Sequence, residues 1–150
     1  MDNMVLEEKK VKDICNFYVS DYHLEIMLLP YISKKIEEGE EIVIITEKNL
    51  AETLKEVINK TNINEDKRDK IINLGWNKQE KDIKINPNTD IILIGSKKFI
   101  EEKMFNIKKQ KIENIRLIAC YDYNEIKDNM QDIANKYDGV LNTLGIKNLK

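Results

Sequence analysis

His23 is the chain's single histidine, and it closes the run Val19-Ser20-Asp21-Tyr22-His23. An imidazole doing general acid or base work needs a partner to orient it, and Asp21, Glu47 and Asp122 are the carboxylates a fold would have to deliver. The plainer reading is a surface histidine in a first helical turn. Gly95-Ser96-Lys97-Lys98 is the second stretch with chemical content. It puts a hydroxyl and two lysines where a helix starts, a place where cations are disfavoured unless an anion joins them, so a phosphate or carboxylate could bind. The plainer reading there is an ordinary cap followed by solvated lysines. Cys15 and Cys120 lie inside apolar runs without CxxC spacing, which fits buried thiols in a reducing compartment better than a redox pair or a zinc site. Neither GxxxxGK[ST] nor GxGxxG occurs anywhere in the sequence.

These residues sit on a regular alternation of elements. Ile14 to Val19 is apolar enough on both faces for an interior strand. Ser20 is a helix cap, and Leu24, Met27, Leu28, Tyr31, Ile32 and Ile36 recur at helical spacing up to Gly39. Pro30 removes one backbone donor from that helix, so a kink or a fresh helical start is expected in its second turn. Glu41 to Thr46 is a second strand, the first three elements making a strand-helix-strand unit. Asn49-x-x-Glu52 reads as a capping box for a helix ending near Lys60. A short helix over Asn64 to Lys70 and a third strand over Ile71 to Trp76 follow. Asn77 to Asn88 is polar and reads as a loop or edge hairpin, the segment expected to move most. Asp90 to Gly95 and Ile115 to Tyr121 are strong buried strands, separated by a helix that Ser96 caps. A helix over Asn124 to Lys136 and a short strand over Asp138 to Leu141 finish the pattern, while Met1 to Asp13 is charged and carries no motif.

In open parallel sheets ligands bind outside the carboxyl ends of the strands, where strand-to-helix turns converge. That rule selects Tyr18, Ser20, Asp21 and His23, Thr46 and Glu47, Gly75 and Trp76, Gly95 and Ser96, and Tyr121, Asp122 and Tyr123, of which Tyr18, Ser20, Asp21, His23, Thr46, Trp76, Ser96, Tyr121 and Asp122 are the candidate ligand-binding residues. Tyr18 and Trp76 are the best candidates for pocket walls, since flat apolar faces with polar tips suit a small organic ligand. The turn after the first strand occupies the place of a phosphate cradle yet has no glycine and no lysine.

Composition narrows the partners. With 25 Lys+Arg against 27 Asp+Glu the net charge is -2, which argues against general nucleic-acid or anionic-membrane binding. Only Arg68 and Arg116 offer a guanidinium fork. No apolar run is long enough to span a bilayer and the start lacks a signal-peptide core, so a cytoplasmic location is expected. A chain of 150 residues suits a single domain able to bury roughly 70% of its unfolded surface.

The run Asp13-Ile14-Cys15-Asn16-Phe17-Tyr18, then His23 to Ile32 with Pro30-Tyr31-Ile32, then Ile36-Glu37-Glu38-Gly39-Glu40 and Ile42 to Ile45 resembles the MEDS sensory domain. That family is named for methanogens, methylotrophs and the DcmR regulator. Its pattern is His-Ile-Cys-x-Phe-Tyr, a Leu-rich helix with Pro-Phe-Ile, and Gly-x-x-x-Gly-Glu before a buried strand. Asp13 stands where the family has histidine and Lys35 where it has the first glycine, and the resemblance runs from Asp13 to about Ile58. It implies an arrangement similar to RecA/KaiC ATPases that have lost the Walker lysine, and a regulatory domain that senses a small, hydrocarbon-derived molecule.

The resulting expectation is a three-layer α/β domain over residues 1–150, with a mostly parallel sheet of five or six strands. It would act without enzymatic activity or cofactor, binding a small organic ligand and signalling to a transcriptional or signal-transduction partner. An alternative from another class is a protein-interaction module or degenerate ATPase-like subunit acting through its surface, as a homo-oligomer in one version. That alternative predicts a filled crevice and an exposed apolar patch. A phosphate-ester or nucleotide enzyme using Ser96, Lys97, Asp122 and His23 ranks behind both.

Overall fold

The structure, a computed structural model, describes residues 12–77 and 83–149. Six strands form one sheet: β1 (Asp13–Tyr18), β2 (Glu41–Thr46), β3 (Thr89–Gly95), β4 (Arg116–Asp122), β5 (Gly139–Asn142) and β6 (Gly145–Asn148), in the order β2-β3-β4-β1-β5-β6. All pairings from β2 to β5 are parallel, and β6 returns antiparallel from β5. The helices are α1 (Asp21–Glu37), α2 (Ala51–Asn59), α3 (Glu65–Ile72), α4 (Lys97–Lys108), α5 (Tyr123–Ile126) and α6 (Met130–Ala134).

The two-residue period of the strands divides the core. Ile14 and Tyr18 of β1, Ile44 of β2 and Ile118 of β4 pack under α1, α2 and α3. Cys15, Leu93, Ala119 and Tyr121 face the opposite way, toward Ile100 and Ile107 of α4 and Ile126 and Ile133 of α5 and α6. The architecture is therefore a three-layer α/β fold, as the apolar strands without polar alternation require. Asn16 is fully buried in the middle of β1 and ties it to β5 by donating to the Leu141 carbonyl at 2.9 Å.

Several expectations need correction. Ile71 to Trp76 is not a strand: Ile71 and Ile72 complete α3, and Asn73 to Gly75 form a turn with Gly75 at φ +97. Ile71 is buried at a helical position of the first core, and Trp76 donates its indole N–H to the Ile71 carbonyl at 2.7 Å. The helix expected over Asn124 to Lys136 is broken into α5, a 3-10 turn at Lys127–Asn129, and α6. Asn49 does not form a capping box. It accepts the Ala51 N–H at 3.0 Å, and Leu50 takes the cap position of α2. α1 passes through Pro30 without a new start. The expected first unit does form, but β1 and β2 are not neighbours, since β4 and β3 lie between them. The charged start, apart from Lys12 and Asp13, and residues 78–82 of the polar loop lie outside the described residues. On either side of that loop the chain changes face, Trp76 packing in the first core and Ile83 and Ile85 against the second.

Candidate functional site: the carboxyl rim of the sheet

Because β1 to β5 run in one direction, their carboxyl ends share one edge, and the turns into α1, α2, α4 and α5 meet there. Each turn is closed by groups of the chain itself. At the start of α1 the Ser20 hydroxyl accepts the His23 N–H at 3.1 Å, and His23 Nδ1 accepts the Val19 N–H at 3.0 Å. The imidazole thus occupies an amide of the turn after the first strand, the position at which phosphate-binding strand-helix turns hold phosphate.

The start of α4 is sealed by two carboxylates. Glu47 Oε1 accepts the Ser96 N–H at 2.8 Å and Glu125 Oε1 accepts the Lys97 N–H at 3.0 Å, while the Ser96 hydroxyl accepts from Phe99 N–H at 3.1 Å. Negative charge at a helix start is favourable, so these side chains do for α4 what a bound anion would do. Contact is close enough that any side chain at Gly95 would force a neighbour to move: a Cβ there would lie 2.6 Å from Phe99 Cδ2 and 2.9 Å from Glu47 Cβ. Asp122 caps the last turn by accepting the Asn124 N–H at 2.9 Å.

Lys48 organises the middle of the rim. Its ammonium donates to Asp21 Oδ1 at 2.6 Å and lies 4.8 Å from the centre of the Tyr18 ring. Thr46 holds the Lys48 backbone from both sides, its hydroxyl accepting the N–H at 3.2 Å and donating to the carbonyl at 2.8 Å. Tyr18 is buried, which pushes its phenol upward against the opposing pull of Lys48.

The fold therefore brings Tyr18, Asp21 and Thr46 together around Lys48, joins Ser20 to His23, and sets Ser96 against Glu47. Among the described residues no hydrogen bond links His23 to Asp21, Glu47 or Asp122. The aromatics serve as core. Tyr18 and Trp76 are 2% and 1% exposed in the first layer. Tyr121 is on the opposite face, stacked on Phe17 at 6.0 Å and bonded through its hydroxyl to that of Tyr137 at 2.5 Å.

Three contributors were not singled out from sequence: Lys48, Glu125 and Glu25. Lys48 directly follows the Thr46-Glu47 pair that the strand-end rule selects, and one further residue would have reached it. Glu25 had a sharper signal, an acid on the inner face of α1 between Leu24 and Leu28. It is fully buried; its Oε2 accepts from the Thr53 hydroxyl at 2.5 Å, and Oε1 has no partner. Burial first, then the nearby Asp21 and Glu56 carboxylates, push its pKa up to about 7 against the pull of Thr53 and Lys48.

Among the described residues no group of three or more histidine, cysteine, aspartate or glutamate side chains is placed to hold a metal. Nor is any helix among them long and apolar enough to cross a membrane. A cavity of about 460 Å³ opens between the end of α1 and the start of α3, lined by Ile36, Glu37, Asn64 and Lys67. Since α1 leads into the amino end of β2, this cavity lies at the far end of the sheet from the rim. The chain matches no protein-family model, no curated protein and no solved structure.

Proposed function

We propose that the chain is a non-enzymatic regulatory domain that works by contact with another protein through the rim and the adjoining face of α1. One observation carries this reading: the Val19 amide in the turn before α1 and the Ser96 and Lys97 amides at the start of α4, where a nucleotide would be gripped, are taken by His23, Glu47 and Glu125. The aromatic side chains that would have walled a pocket fill the two cores instead, while Val19, Tyr22 and Ile26 beside the rim stay exposed. The resemblance of Asp13 to Ile58 to MEDS sensory domains points to the same class. So does a RecA/KaiC-like reading of the fold, in which an interior first strand feeds a turn stripped of its phosphate grip. Signalling to a transcriptional or signal-transduction partner follows from that resemblance.

A second reading, a small organic ligand as the incoming signal, is favoured by Glu25. Its unpartnered oxygen at the α1–α2 seam would accept from a hydroxyl or amine donor. Thermal unfolding in the presence of MgATP, inorganic phosphate and a panel of small organic alcohols and amines separates the readings. Contact regulation predicts no shift with any of them. A shift with an organic donor that disappears in Glu25→Gln selects the ligand reading, and ATP hydrolysis by the full chain would contradict both.

A further inference from the structure

We propose that two copies of this chain pair through α1, antiparallel, about a two-fold axis passing near Ile26. This rests on the contact reading above and names the partner as a second copy. An amphipathic surface helix shows a polar outer face, and a helix apolar on all sides is a buried one. α1 buries Leu24, Met27, Leu28 and Ile32 against its own sheet. Its outer face should then be charged, yet Tyr22, Ile26 and Pro30 follow one another there at four-residue spacing, continuing from Val19. Val19, Tyr22 and Ile26 are 57%, 45% and 51% exposed.

Charge at the two ends of this stripe says what covers it. Lys34, two turns beyond Ile26, is exposed and pairs with no acid among the described residues, while Glu37 one turn further on is paired with Lys67 and Glu38 is exposed. At the other end stand Asp21 and Glu56, the latter accepting from the Tyr22 hydroxyl at 2.6 Å, with Lys48 bonded to Asp21. An antiparallel pair centred on Ile26 sets each Lys34 just beyond the first residue of the other copy's α1, within side-chain reach of its acidic start, and sets the two helix dipoles against each other favourably. A parallel pair would stack like charge on like. The patch is thus complementary to itself, which is the condition for a two-fold contact.

Light scattering on the full chain should give twice its 17.7 kDa. Ile26→Lys should give single chains with an unchanged far-ultraviolet circular dichroism spectrum. Ile26→Cys should cross-link into dimers on mild oxidation, while Phe105→Cys, more exposed still on α4 of the opposite layer, should not. Cys15 and Cys120 are buried and do not interfere. Lys34→Glu should weaken the dimer about tenfold by placing acid on acid, and adding Glu56→Lys should restore it. Single wild-type chains at every concentration, cross-linking through position 105, or no rescue by the double exchange would overturn the proposal. None of these bears on whether ATP binds at the rim, so failure of the dimer and failure of the regulatory reading are told apart.

Discussion

Glu25 brings a carboxyl into the seam between α1 and α2, where the Thr53 hydroxyl is its one donor. Protonation suits this place: a proton on Oε2 could be given to Thr53 Oγ1, freeing the Thr53 hydroxyl for the Leu50 carbonyl 3.2 Å away. The folded chain holds the proton up to about pH 7 and the unfolded chain only up to the ordinary value of 4.5. Between those values the folded state binds more protons, so stability falls as pH rises through that window and levels off above it. The loss is on the order of 3 kcal/mol. Glu25→Gln should flatten this slope and leave the variant more stable than the wild type at pH 8, as urea unfolding at pH 5 and 8 would show; parallel pH curves would refute it. At Gly95 the expected effect is steric. Gly95→Ala forces Phe99 or Glu47 to move and should cost about 1–3 kcal/mol in the same assay.

At the scale of elements, two hydroxyl caps start the helices of the rim. Ser20→Ala and Ser96→Ala should each cost about 1 kcal/mol. Ser96→Ala should cost no more than Ser20→Ala, because Glu47 and Glu125 still hold the neighbouring amides of α4. Both caps were legible, since a serine directly before an apolar helical period has one common use. So were β2, β3 and β4, whose continuous apolar runs fit only strands covered on both sides. Ile71 to Trp76 was misread because a short apolar run carries no period of its own; the acids and lysines of Glu65 to Lys70 that lead into it were the better guide. The helix after β4 breaks because Asn124 to Asn135 is polar almost throughout, with only Ile126 and Ile133 buried to pin it.

For the whole molecule, the pattern of the chain identified strands but not their neighbours. That β1 lies between β4 and β5 depends on contacts far apart in sequence, such as the bond from Asn16 to the Leu141 carbonyl, and no local signal encodes them. The candidate site divides the same way. Its positions followed from the rule about strand ends, but their use did not, because Glu47, Glu125 and His23 find their amides only once the sheet is assembled. The rim is closed by the chain's own groups. An amide-resolved magnetic resonance titration with MgATP addresses it directly, by following Val19, Ser96 and Lys97. With those amides already occupied, no saturable change is expected at these three positions. Saturable shifts at all three, with stabilisation of about 2.7 kcal/mol at a hundredfold excess over the dissociation constant, would show a nucleotide displacing His23, Glu47 and Glu125 and would contradict it.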